Sequence, residues 1–158
     1  MPSSLEELRS VCWGSYPGPP RIIDILVPEI PQEIHIAARA FAVEIRAAGE
    51  ILQDDGLNNG PASLADHLST GWQERLQVVF DGSALHFRCL GRHDLLCAKL
   101  FALCDRGIDL DDCIALAPTL AELENVLAWL QLQDANPDWS EHLRNTIAYV
   151  AKRISHDV

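Results

Sequence analysis

The sequence predicts an α+β fold in which helices pack on a small mixed sheet and the C-terminal half of the chain is helical. Three observations lead to this prediction. Residues 21–27, RIIDILV, are β-branched and almost continuously apolar, which is typical of a buried strand. Residues 76–80 and 84–90 are apolar runs on either side of Asp81-Gly82, a hairpin signal. From residue 93 onward, apolar residues recur at helical spacing.

The first 20 residues are predicted to be an atypical N-terminal segment. Residues 3–12 favour a short helix, and residues 14–20, GSYPGPP, contain prolines and glycines that exclude both a helix and a central strand. We expect a Pro/Gly-rich linker there, followed by a single domain over residues 21–158. The acidic start and the lack of any apolar run of roughly 18 residues predict a cytoplasmic protein without a membrane contact.

The segment between the first strand and the hairpin is predicted to hold a helix and a structured loop. Prolines 28 and 31 end the strand, and residues 30–52 carry apolar residues at helical spacing. Their predicted core stripe consists of Ile34, Ala37, Ala38, Phe41, Ile45 and Ala48. Residues 53–68 are rich in Asp, Asn, Gly and Pro, which favour turns.

Helix start and stop signals divide the C-terminal half. A helix over residues 93–107 is predicted to end at Gly107, and a short helix follows from about Asp109. Thr119 and Glu122 have the spacing of a capping box for the next helix. The last helix is predicted from about residue 138 to 153.

Charge and cysteine content restrict the possible functions. The chain has 12 Lys and Arg against 23 Asp and Glu, a formal charge of −11, which is unfavourable for a general nucleic-acid coat or an extended nucleic-acid groove. None of the five cysteines forms a CxxC pair, so zinc has weak support. Cys97 and Cys104 are predicted to be small core residues. Three tryptophans are predicted to be core or interface anchors: Trp72, Trp129 and Trp139.

Three strings in the chain, taken in order, resemble a known family. They are RIIDILVPEIP at 21–31, GLNNGPASL at 56–64 and GRHDLLCAKLFALCDRGIDLDDCIALAPT at 91–119, and the tail AWLQLQDANPDW at 128–139 is also similar. They resemble bacterial nucleotidyltransferase-like domains of unknown function related to the AbiEii abortive-infection toxins, within the polymerase-β-like superfamily. The resemblance covers residues 21–153. It implies transfer of a nucleotide from a nucleoside triphosphate to a protein or RNA hydroxyl.

The resemblance also implies a Mg²⁺ site on the first strand. Members of the superfamily carry two carboxylates there in the pattern Asp, apolar, Asp, and Mg²⁺ prefers such hard oxygen ligands. The pair falls at positions 22 and 24 of this chain, where Ile22 replaces the first acid and Asp24 is retained as metal ligand and catalytic residue. The Gly-turn that precedes this strand in the family is not recognisable. We therefore expect a truncated or catalytically impaired member of the family.

A second set of residues is implied by the third string. Lys99, Asp109 and Asp112 are expected to act at the nucleotide site as catalytic residues, and Arg106 to bind substrate. Asn59, in the second string, is also expected to bind substrate, through its side-chain amide. Lys99 and Arg106 are seven residues apart, so they are expected to share one helix face. His93 is assigned no role.

Structural alternatives remain for each of these residues. Asp24 also suits an exposed strand position, Asp109 suits a helix N-cap, and Asn59 suits a loop held by its own hydrogen bonds. A buried Lys-Asp pair can also fix helix packing. The alternative function is a non-catalytic acidic module, antitoxin-like or regulatory, that binds a basic protein partner.

Overall fold

The computed structural model of this protein describes residues 23–49, 57–59, 62–83 and 86–156. The chain divides between His67 and Leu68 into two compact units, and we describe each separately. Three features of the sequence prediction lie outside the described residues: the short helix at 3–12, the linker at 14–20 and Ile22. The predicted domain boundary after residue 20 therefore stays a prediction.

The smaller unit contains a two-stranded parallel ladder. Strand β1 (Ile23–Asp24) pairs with β2 (Leu57–Asn58), and the backbone N–H of Ile25 donates to the Asn58 carbonyl at 2.7 Å. The strand predicted over residues 21–27 thus ends at Asp24, and the chain bends at Val27 and Pro28. Strand β2 lies in a segment that we predicted to be a loop. The prediction rested on its asparagine and flanking glycines, which are typical of turns.

Helix α1 (Gln32–Ala47) follows β1. It ends before the predicted residue 52, and the left-handed φ of +92° at Gly49 is one that glycine adopts without strain. The predicted core stripe is partly wrong: Ile34 and Phe41 are 49% and 55% exposed, Ala38 and Ile45 are half-buried, and the buried residue is Ala42. Apolar residues lie on most sides of this helix, so their spacing alone could not separate the buried face from the exposed faces.

The larger unit contains an antiparallel hairpin. Strand β3 (Gln77–Asp81) pairs with β4 (His86–Cys89), with Phe80 opposite Phe87 and Asp81 opposite His86. Strand β3 ends at Asp81 and β4 begins at His86, so more than two residues separate the paired strands. The described strands form two separate two-stranded ladders, one parallel and one antiparallel, where we expected one mixed sheet.

Four helices follow the hairpin, as predicted. They are α2 (Arg92–Arg106), α3 (Leu110–Ala115), α4 (Leu120–Leu130) and α5 (Trp139–His156). Gly107 ends α2 in a left-handed conformation at φ +69°, and its N–H donates to the Leu103 carbonyl. Thr119 and Glu122 form the predicted capping box. The predicted α+β class with a helical C-terminal half is confirmed.

The main core lies among these four helices. Its fully buried side chains include Leu96, Leu100, Leu123, Val126, Leu130, Leu143 and Val150. Cys97, Cys104 and Trp139 belong to the same cluster, which confirms their predicted burial, and Trp139 Nε1 donates to the Leu130 carbonyl at 2.8 Å. Trp72 is buried as well. Within the described residues, no helix is long and apolar enough to cross a membrane.

Candidate functional site

The candidate site is a cluster of one lysine and two aspartates. Lys99, on α2, places its Nζ 2.6 Å from Oδ2 of Asp112 and 3.3 Å from Oδ2 of Asp109. The three side chains are 20 to 27% exposed, so the cluster is accessible from solvent but mostly enclosed by protein. The structure therefore brings together three of the residues that the family resemblance assigns to a nucleotide site. We call this group the Lys99 cluster.

The connection between α2 and α3 positions the two carboxylates. Gly107 and Asp109 both adopt left-handed φ values, +69° and +68°, and these turn the chain sharply between the helices. Asp109 occupies the N-cap position of α3 but makes no side-chain capping hydrogen bond. Asp109 thus holds the predicted N-cap position, but its carboxylate faces Lys99 instead of capping the helix. A non-glycine residue in this conformation is uncommon and costs energy, although Asp tolerates it better than most residues.

The charges of the Lys99 cluster do not cancel. Burial alone would lower the pKa of Lys99, but the hydrogen bond to Asp112 and the charges of both aspartates outweigh it, so the pKa is raised and Lys99 stays protonated. The two carboxylates and one ammonium leave a formal charge of −1. Such a site attracts a cation, whether a metal ion or a basic side chain, more readily than a bare phosphate.

Arg106 lies outside this cluster. Its side chain is 62% exposed in the last turn of α2, and its Nε is 3.8 Å from a carboxylate oxygen of the adjacent Asp105. Lys99 contacts Asp109 and Asp112, whereas Arg106 lies near Asp105, so the seven-residue spacing does not bring the two cations to the same carboxylates. A cation in this position also has a structural reason, since the last turn of a helix favours positive charge.

Asn59 makes three hydrogen bonds with the backbone that follows β1. Its Oδ1 accepts from the Ile30 N–H at 2.7 Å, and its Nδ2 donates to the carbonyls of Ile25 and Pro28 at 2.8 and 3.2 Å. This uses both ends of the amide to hold residues 25–30 in place. The geometry favours a structural role for Asn59 over substrate binding. The backbone that Asn59 holds is distant from it in sequence, whereas we expected it to hold its own loop.

Asp24 lies on β1 in the smaller unit, opposite Asn58, with its side chain exposed. A single carboxylate with an isoleucine two residues before it does not reproduce the paired acidic ligands that the resemblance implies for Mg²⁺. Across the described residues, no group of three or more His, Cys, Asp or Glu side chains is arranged to hold a metal ion. The carboxylates of Asp109 and Asp112 are hard oxygen donors that both contact the Lys99 ammonium.

An ion pair that we did not predict, between the exposed Arg75 and a buried aspartate, lies at the start of α2. Asp94 is fully buried and accepts from Arg75 Nε at 2.8 Å, Arg75 Nη2 at 2.7 Å and Ser69 Oγ at 3.1 Å. Burial alone would raise the pKa of Asp94. The hydrogen bonds from Arg75 and Ser69 outweigh this effect, so the pKa is lowered. One signal was available: Asp94 is three residues before Cys97 on the apolar face of the predicted helix.

The described cysteines at the core do not supply a reactive thiolate. Burial raises the pKa of Cys97 and of Cys113 to about 12 and that of Cys104 to about 11. His93 Nε2 lies 3.7 Å from Cys97 Sγ, but the raised pKa keeps that thiol protonated at neutral pH.

The Lys99 cluster thus combines charge, partial enclosure and access from solvent. Comparisons of the chain with protein-family models, characterised proteins and solved structures found no match.

Proposed function

We propose that this chain is a nucleotidyltransferase-like protein whose Lys99 cluster binds a nucleoside triphosphate together with Mg²⁺, and whose transfer activity is impaired. One observation carries the proposal. Lys99, Asp109 and Asp112, which the family resemblance assigns to one site, have side chains in direct contact within a partly enclosed region. The left-handed conformation of Asp109, which directs its carboxylate to Lys99 rather than to a helix cap, adds support.

The charge of the cluster predicts how a nucleotide would bind. A triphosphate is a polyanion at neutral pH, and a site with a formal charge of −1 repels it. Mg²⁺ would be held by Asp109 and Asp112 and would reverse the sign of the site by neutralising charge on the phosphates. We therefore expect nucleotide binding to depend on the divalent cation.

The impaired activity follows from the first strand. Asp24 is the retained acid of the expected pair, and Ile22 has no oxygen to offer a metal. Any remaining transfer to a protein or RNA hydroxyl would depend on Asp24. Replacing Asp24 by Asn should abolish it, and Glu29→Gln, which makes the same charge change at a nearby exposed acid, should not.

Calorimetric titration of the four common nucleoside triphosphates, with MgCl₂ or with EDTA, tests the binding site. We expect at least one nucleotide to bind in Mg²⁺ and none in EDTA. Asp112→Asn and Asp109→Asn should weaken this binding by about tenfold or more, a loss of roughly 1.4 kcal/mol. Asp111→Asn is the matched control, because Asp111 is an exposed neighbour in the same helical turn.

Two results would refute the proposal. One is the absence of any thermal shift with all four nucleotides in Mg²⁺, since a ligand at 100 times its dissociation constant stabilises a protein by roughly 2.7 kcal/mol. The other is binding that Asp111→Asn weakens as much as Asp112→Asn does.

The second candidate function is a non-catalytic acidic module that binds a basic protein, as an antitoxin or regulator would. The observation in its favour is the same excess of negative charge at the Lys99 cluster, on a chain with a net charge of −11. A basic side chain of the partner would then take the place of the metal ion. Binding of a lysine-rich peptide that weakens with added salt and with Asp112→Asn, in the absence of nucleotide binding, would favour this function.

A further inference from the structure

A groove of about 210 Å³ lies between α4 and α5, on the larger unit. Its apolar lining consists of Leu120, Leu123 and Leu127 from α4 and Ile147, Ala148 and Ala151 from α5. These residues follow helical spacing on both helices, so each helix contributes one continuous stripe. Leu123 is buried at the base, and Leu120 is 70% exposed at the edge.

One charged residue borders the groove on each side. Glu124 extends the lining of α4 and Arg144 that of α5, and both side chains are exposed. Neither forms an ion pair with any described residue. The groove therefore has an apolar centre with one acidic and one basic side, and its own charges sum to zero although the whole chain is strongly acidic.

We infer that this groove is the interface for a second copy of the chain. A two-fold interface uses the same patch on both partners, so the patch must be complementary to itself. If the two-fold axis runs along the groove, α4 of one copy covers α5 of the other. Glu124 of each copy then faces Arg144 of the other copy, and the apolar stripes meet between two ion pairs as the centre of a four-helix arrangement.

The strong negative charge of the chain does not prevent this association. Charges far from the groove are separated across the interface, and their repulsion is screened beyond about 8 Å at physiological ionic strength. The charges at the groove itself are opposite in the proposed arrangement. A patch with one sign of charge would instead place like charges in contact, which opposes pairing.

Sedimentation equilibrium of the full chain, from roughly 1 µM to 1 mM, tests the inference. We expect a monomer-dimer equilibrium. Glu124→Arg and Arg144→Glu should each raise the dissociation constant by about tenfold or more, because each places like charges opposite each other twice. The double variant restores opposite charges and should return to within about threefold of the unmodified chain.

Further variants separate this interface from general charge effects. Glu141→Arg and Lys152→Glu make the same charge changes at exposed positions of α5 outside the groove lining, and they should leave the dissociation constant unchanged. Leu120→Glu places a charge in the apolar edge of the groove at an exposed position, so it should prevent dimerisation while the circular dichroism spectrum is retained.

A chain that stays monomeric throughout this concentration range would overturn the inference. A dimer that none of the groove variants weakens would also overturn it, since the contact would then lie on another surface. So would a double variant as weak as the single ones, because it would show that Glu124 and Arg144 do not face each other.

Discussion

Replacing Lys99 by Met removes the ammonium that lies between Asp109 and Asp112. The two distances of 2.6 and 3.3 Å from Nζ add to 5.9 Å, so the two carboxylate oxygens cannot be farther apart than that. At an effective dielectric constant near 20, two charges at this separation repel each other by about 2.8 kcal/mol. In the unmodified chain the attraction of Lys99 to both carboxylates offsets this repulsion, and Lys99→Met leaves it uncompensated. We therefore expect Lys99→Met to lower the free energy of unfolding by roughly 3 kcal/mol at pH 7, near the lower end of values for removing one partner of an enclosed pair.

Urea unfolding followed by tryptophan fluorescence measures this loss, because Trp129 and Trp139 pack at the core next to α2. For a chain of this length, a loss of that size lowers Tm by roughly 6 to 12 °C. The control is Lys152→Met, which removes an exposed lysine of α5 and should change the free energy of unfolding by less than about 0.5 kcal/mol.

A double variant tests the electrostatic origin of the effect. Lys99→Met with Asp112→Asn removes the repulsion between carboxylates, so it should be more stable than Lys99→Met alone by roughly 2 kcal/mol. If Lys99→Met unfolds at the same urea concentration as the unmodified chain, or if the second substitution restores nothing, the reasoning about the Lys99 cluster is refuted.

The contribution of Lys99 also has a defined pH dependence. Its pKa is raised above the ordinary value of 10.5, mainly by Asp112 and Asp109 against the effect of burial. A raised pKa in the folded state means that the stabilisation is fully present below the unfolded value and is lost as the pH rises through the folded value. The stability difference between the unmodified chain and Lys99→Met should be constant from neutral pH to about 10.5 and decrease above it.

Three other substitutions test local features by urea unfolding. A hydrogen bond from Arg92, with others from Thr119, lowers the pKa of Glu122 to about 2, so the advantage of the unmodified chain over Glu122→Gln should be present above pH 4.5 and disappear as the pH falls towards 2. Ala117→Gly relieves the strain of a φ of +42° and should raise the free energy of unfolding by about 0.5 kcal/mol. Ala128→Gly within α4 is the control and should lower it by about 1 kcal/mol. Equal losses at both sites would contradict this reasoning. Asn59→Ala loses three hydrogen bonds in the smaller unit and should cost about 2 kcal/mol, measured by circular dichroism of helix α1 because the reporting tryptophans lie in the larger unit. An unchanged unfolding midpoint would count against the structural role of Asn59.

The helical half of the fold was predictable because its signals are local. Gly107 ends α2, and the Thr119 and Glu122 pair begins α4, each through contacts with residues a few positions away. The periodic apolar residues of these helices also face one shared core, so pattern and burial agree.

The smaller unit was less predictable for two physical reasons. Strand β2 is two residues long, and its pairing with β1 depends on a contact more than 30 residues away in sequence. Helix α1 carries apolar residues on most of its surface, so periodicity could not identify the face around Ala42 as the buried one.

Within the candidate site, the family resemblance implied that Lys99, Asp109 and Asp112 belong together, but neither it nor the spacing gave the direction of each side chain. The left-handed conformation of Asp109 decides that its carboxylate faces Lys99, and sequence alone allowed the N-cap equally well. The Arg75 and Asp94 pair was missed because its partners are 19 residues apart and belong to different elements.

That same pair determines how the hairpin is attached to the protein. Asp94 binds Arg75 before β3, and the space beside Gly91 after β4 is so tight that an added Cβ would lie 2.7 Å from the Arg75 carbonyl oxygen. Arg75 therefore contacts the chain just after the hairpin, so the residues before β3 and after β4 are held close together. Loop-closure entropy grows only slowly with length, so a peptide or small domain inserted between Asp81 and His86 would cost little stability. The segment between β3 and β4 is accordingly a suitable place to carry a label or a fused binding partner.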